Sequence, residues 1–120
     1  GMETRGFVSR LLKNGALDTS FGQNGVHFVQ APPGGIYLGG VSLGAKGTIL
    51  VGGSHTLDGK TAMAAWRLTR TGATDATFGV NGIARTPTSE YTRFLDITAT
   101  KDRLYGVGFQ HNGGGQDDVA

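Results

Sequence analysis

The stretch Gly15-Ala16-Leu17-Asp18-Thr19-Ser20-Phe21-Gly22-Gln23-Asn24-Gly25 returns as Gly72-Ala73-Thr74-Asp75-Ala76-Thr77-Phe78-Gly79-Val80-Asn81-Gly82, 57 residues later. Over Arg10–Gly25 against Arg67–Gly82, nine of sixteen positions are identical. A repeat of this size restricts the fold more than any other feature of the chain. A period of that size is the signature of a repeat architecture.

Each recurring residue of the motif has a physical reason to be there. Asp18 and Asp75 are expected to accept hydrogen bonds from backbone N–H groups two and three residues on, capping a tight turn. The rings of Phe21 and Phe78 are expected to anchor the turn in the core. Gly22 and Gly79 sit where the chain needs a positive φ. Asn24-Gly25 and Asn81-Gly82 are strong two-residue hairpin signals, because a type I′ turn needs positive φ at both central positions.

Around this motif the sequence alternates as short strands do. Strands are expected at Gly6–Leu12 and Met63–Thr69, then at Val26–Val29 and Ile83–Thr86. Third strands follow near Tyr37–Leu43 and Arg93–Ala99, and fourth strands at Thr48–Gly53 and Arg103–Phe109. Thr61–Leu68 is also rich in helix formers, but the rest of the repeat decides for a strand. The best offset at the fourth strands is 55, which places a two-residue deletion in the loop after the second strand. The fold class predicted is all-β: antiparallel four-stranded blades in two β-propeller-type repeats of about 55–57 residues. Residues 1–120 form a single repeat domain, with repeat 1 at about 5–60, repeat 2 at about 61–116 and the start of a third at 117–120.

These residues resemble the delta-60 repeat family, whose units combine an Arg-Leu pair, a Gly-x-Leu-Asp-x-x-Phe-Gly-x-x-Gly corner and a Gly-Lys-Ile-Leu-Val-x-Gly strand. The matches here are Arg10-Leu11 with Gly15–Gly25, Lys46–Gly53, and Arg67-Leu68 with Gly72–Gly82. The second unit departs from the pattern at Thr74, in place of Leu, and at Asp102–Gly106. The resemblance implies a propeller-like repeat of bacterial exported or surface proteins, hence an extracellular or envelope location. It attaches no single chemistry to the fold.

Composition narrows the function classes. Gly makes up 22 of 120 residues while apolar residues hold 38%, so the excess glycine serves turns and not disorder. The absence of Cys removes disulfides, thiolate metal sites and thiol nucleophiles. A net charge of +2 with scattered Lys and Arg leaves no basic stripe, so nucleic acid is not an expected partner. No apolar run reaches the roughly 18 residues of a membrane span. Gly1 ahead of Met2 reads as a remnant of tag cleavage, which leaves room for a native leader upstream.

No set of residues converges on catalysis or on a cofactor. His55 and His111 are 56 residues apart and are expected in equivalent loops after the fourth strands; with Asp58, Asp117 or Asp118 they suggest a metal ring, but polar turn residues are the simpler reading. Gly53–Thr61 has the wrong glycine spacing for a phosphate loop, and Asp58-Gly59 reads as a hairpin turn. Gly113–Asp117 lacks the repetition of a calcium-binding nonapeptide. Asp18 and Asp75 as an acid/base pair compete with a plain capping role, which their presence in both units favours, and Ser20 as a nucleophile has no elbow motif or third partner to support it. Arg10 and Arg67 are expected to brace the repeat against turn carbonyls or an acid, with anion binding as the other reading. Trp66, Tyr37, Tyr91 and Tyr105 are expected mainly in blade packing, with a sugar-stacking platform as the alternative.

The function expected is a non-enzymatic scaffold or recognition module without cofactor or metal. A small-ligand or glycan binder is the alternative, and a propeller hydrolase or lyase the second. Closed propellers have about four to eight blades. Two units cannot close, so they call for neighbouring repeats of a longer chain, for a homo-oligomer of two to four copies, or for edges paired in some other way; a glycan or protein is the remaining partner class. In a ring of identical chains Asp118–Ala120 and Gly6–Val8 would compete for one slot, so one end is expected to be displaced or re-paired.

Overall fold

The computed structural model describes residues 5–31, 33–86, 91–100 and 102–111. The loop expected at Pro87–Ser89, the Gly113–Asp117 tract and the third-unit start at 117–120 lie outside them. The same holds for the side chains of Tyr91 and His111.

Among the described residues, eight strands form three antiparallel sheets. β1 (Gly6–Ser9) pairs with β2 (Val26–Val29). β3 (Gly35–Leu43), β4 (Ile49–Leu57), β5 (Lys60–Leu68) and β6 (Ile83–Arg85) form a four-stranded sheet in that order. β7 (Tyr91–Ala99) pairs with β8 (Leu104–His111). The helix-prone segment at Thr61–Leu68 is a strand, because its even-numbered residues from Ala62 to Leu68 are buried in alternation.

The complete blade does not coincide with one sequence unit, as the reading of four strands per repeat implied. It joins the last two strands of the first unit to the first two of the second. The joint is the Asp58-Gly59 hairpin, where φ is 55° and 76°, and it carries nine cross-strand pairs from Ile49↔Leu68 to Leu57↔Lys60. A two-residue turn closes this pairing at little entropic cost, whereas β2 and β3 are separated by a longer loop and do not pair.

Register also relocates the deletion. The bulge between Leu38 and Gly40 in β3 recurs between Phe94 and Asp96 in β7, an offset of 56, while the Leu43↔Ile49 and Ala99↔Leu104 pairs give an offset of 55 at the fourth strands. One residue is thus lost in the loop after the second strand and one in the turn before the fourth. In the first unit that turn is a short 3-10 turn, Ala45–Gly47, with Lys46 at φ 58°. In the second a tighter turn is closed by the Thr100 N–H donating to the Arg103 carbonyl at 2.9 Å.

Layering follows from β4, whose residues from Ile49 to His55 are buried on both parities. On one face Ile49, Val51, Trp66 and Leu68 pack with Phe21 and Val29, while Val8 closes over them from β1. The opposite face is covered by β7, which lies against β3, β4 and β5. The described residues therefore make half a blade, a whole blade and half a blade, stacked in sequence.

Candidate functional site

The two corners fold as near duplicates. The Arg10 Nε–H donates to Asp18 Oδ2 at 2.9 Å, and Arg67 repeats the bond to Asp75 at 2.9 Å. Asp18 Oδ1 accepts from the Ser20 N–H at 3.0 Å and from the Ser20 hydroxyl at 2.6 Å; Asp75 accepts from Thr77 at 3.1 and 2.6 Å. The N–H three residues on is not bound by the carboxylate, as expected from the sequence, but by the aspartate's own carbonyl, in Phe21 and Phe78 alike at 3.1 Å. Each guanidinium also lies over its corner's ring, 4.9 Å from the centroid for Arg10 and Phe21 and 4.8 Å for Arg67 and Phe78.

This geometry sets the electrostatics. The Ser20 hydroxyl, then the Ser20 amide, then Arg10, hold the Asp18 carboxyl below the usual carboxylate range; Thr77 and then Arg67 do the same for Asp75. Both carboxylates accept bonds from their own turn and from an arginine, an arrangement that suits a cap. Asn24 and Asn81 adopt φ of 54° and 56°, followed by Gly25 and Gly82 at 98° and 93°. Reciprocal bonds between Gln23 and Val26, and between Val80 and Ile83, close both hairpins.

The corners differ in what covers them. The first is sealed by the second unit: the Gly22 N–H donates to the Thr71 carbonyl at 2.9 Å and Arg10 Nη1 to the Arg70 carbonyl at 2.7 Å. A Cβ on Gly72 would come within 2.6 Å of the Gly22 nitrogen and 2.9 Å of the Phe21 ring. Phe21 is accordingly fully buried, while Phe78, expected as an equal anchor, is half-buried.

Beside the sealed corner lies an open groove lined by Ser20, Gln23, His27 and Thr71, among others. Burial pushes the His27 imidazole below its ordinary range, against a smaller opposing effect of the Gly72 carbonyl. A second groove surrounds Arg67, Asp75 and Phe78 at the uncovered corner, with Lys46 and Arg103 on its rim.

The remaining candidates are dispersed. His55 lies inside β4, not in a loop, and is buried; its Nε2–H faces the Ala31 and Pro33 carbonyls at 2.9 and 3.0 Å, and its Nδ1 accepts from Arg85 at 2.6 Å. The 55-residue offset aligns it with Gln110, so the equivalence with His111 does not hold. Trp66 is a core residue on β5 whose indole Nε1 has no partner among the described residues. Tyr37 and Tyr105, expected chiefly in packing, are exposed. The network joining Arg85 to His55 was missed, because nothing local links residues 30 positions apart. Among the described residues no three His, Cys, Asp or Glu side chains gather into a metal-binding group, and no helix is long and apolar enough to cross a membrane.

A family model described as "Domain of unknown function (DUF5122) beta-propeller" matches residues 3–21 and 47–78. Those segments hold the first strand and most of its corner, then β4, the Asp58-Gly59 hairpin, β5 and the second corner to Phe78. The match supports a β-propeller-type repeat. No curated protein matches the chain. No solved structure matches it either.

Proposed function

We propose that this chain is a β-propeller-type module that acts as a scaffold or recognition surface and carries no catalysis of its own. It belongs to the delta-60 class of repeats, and its setting is a bacterial surface or exported protein. The observation that carries this reading is the state of Asp18 and Asp75. The only carboxylates repeated in both corners are bound by their own turns and an arginine, which leaves no free acid or base at the conserved geometry of the repeat. Repeats of the same kind complete the open blades.

The exposed Tyr37 and Tyr105 rings favour a second reading, a glycan or small-ligand platform. A thermal-shift screen of glycans and divalent metals separates the two. A scaffold keeps its melting temperature throughout, whereas a bound glycan raises it by mass action. A reproducible, saturable rise abolished by Tyr37→Ala or Tyr105→Ala would overturn the scaffold reading.

A further inference from the structure

Val41 and Ile97 occupy the same position of the repeat, 56 residues apart at the same distance from the bulge. Ile97 is 7% exposed and Val41 60%. Ile97 is buried because β7 lies on a whole blade, whereas Val41 faces the side where β1 and β2 supply only half of one. The opposite end of the molecule has the same deficit: Tyr105, Val107 and Phe109 of β8 share one parity and are all exposed.

We propose that the chain assembles head to tail, with β1 of a second copy pairing antiparallel to β8 and completing a four-stranded blade. The inference deepens the scaffold reading and rests on its propeller-type geometry.

The β4–β5 junction supplies the template. Moving its register by the repeat offsets pairs Gly108 with Phe7, Val107 with Val8 and Gly106 with Ser9 of the second copy. The backbone polarity agrees. Arg67 uses its N–H and C=O on the β6 side, bonding the Gly82 carbonyl and the Asp75 N–H, so Trp66 turns its own toward β4. By the repeat, Ser9 presents its backbone groups at the open edge of β1, and Gly106 presents its own at the open edge of β8. Neither edge has a strand partner among the described residues, and such edges template pairing with another chain.

The corner supplies an independent fit. In the sealed corner Arg10 Nη1 and the Gly22 N–H bind the Arg70 and Thr71 carbonyls. Their equivalents, Arg67 Nη1 and the Gly79 N–H, have no such partners among the described residues. Lys13 and Asn14 stand 57 residues before Arg70 and Thr71 and close the same turn, with the Gly15 N–H donating to the Leu12 carbonyl at 2.9 Å as Gly72 does to Thr69 at 3.0 Å. Seated against β8, the second copy brings its Lys13 and Asn14 carbonyls to Arg67 and Gly79. It also covers Phe7 and Phe28, which pair on the open face of its own half blade. The interface is heterologous and closes into a ring at two to four copies, the range that gives about four to eight blades.

Light scattering after size exclusion at micromolar concentration tests the assembly. The wild type is expected at two to four times the chain mass. Ser9→Pro and Gly106→Pro each remove one outward N–H at opposite sides of the junction, and each alone is expected to run as a monomer with an unchanged β-sheet circular dichroism spectrum. Mixed together they retain one intact junction and are expected to form a 1:1 dimer. If either proline variant does not fold, Phe7→Glu and Val107→Glu replace the pair, because both side chains are exposed in the single chain. A monomeric wild type, the result if a following repeat of a longer chain fills the slot, overturns the proposal, as does wild-type mass in the variants or a mixture that yields no dimer. None of these results depends on a ligand-induced thermal shift, so the assembly and the scaffold reading can fail separately.

Discussion

The amide of Gly22 donates to the carbonyl of Thr71 at 2.9 Å, tying the corner of one repeat to the first turn of the next. The contact is possible because Gly72 has no side chain: it sits at φ +90° directly against Gly22 and the Phe21 ring. The glycine at the start of the second corner motif thus serves the preceding repeat as much as its own.

Gly72→Ala is therefore expected to cost more than its turn conformation alone explains. Gly15 has nearly the same φ, +91°, with nothing near its missing Cβ, so Gly15→Ala reports the backbone strain of about 1 kcal/mol. Gly72→Ala adds overpacking of about 1–3 kcal/mol. Urea denaturation of the two variants measures the difference, and equal losses would show that the seam is loose.

Phe21 and Phe78 offer a second comparison between equivalent positions. Truncation of the fully buried Phe21 to Ala is expected to cost about 3–5 kcal/mol. The half-buried Phe78 is expected to lose about half of that in the single chain. Denaturant midpoints across protein concentration read both, because the proposed assembly over the second corner would bring the Phe78 loss up toward that of Phe21.

The corner carboxylates predict acid sensitivity. Folding lowers the pKa of Asp18 and Asp75, so the folded state binds fewer protons than the unfolded state near the ordinary aspartate pKa. Their contribution is complete above that value and is lost as pH falls through the lower folded values. The aspartates' share of the melting temperature should hold from neutrality to about pH 5 and decline below about pH 4. The double variant Asp18→Asn, Asp75→Asn should be less stable at neutral pH and show a shallower decline.

His27 acts in a higher window with the same sign. Burial lowers its pKa below the ordinary 6.5, so the unfolded chain takes up a proton before the folded one does. Stability is complete above the unfolded value and falls as pH drops through it toward the folded one. His27→Gln should flatten the melting profile in that window and leave the acid limb of the aspartates in place; an unchanged slope would place the titration elsewhere.

Much of the corner was legible because its physics is local. The Asp18 carboxylate reaches Ser20 two residues on, and Asn24-Gly25 makes its turn from its own φ preferences. The all-β class and most strand positions follow from alternation and from turns of this kind. The candidate site was only partly legible. Arg10 and Asp18 were each marked in the sequence, but the Arg70 carbonyl that completes the brace lies 60 residues away.

By itself, then, the sequence determined the repeat, the chemistry of its corners and the places where the chain must turn, because those depend on neighbours within a few residues. Only the tertiary structure decided where a blade begins and ends, that His55 is enclosed by carbonyls and Arg85, and that Phe21 is sealed while its twin Phe78 is not. Those outcomes depend on which unit stacks against which. Two copies of one motif with the same local rules acquire different burial when only one of them has a successor among the described residues.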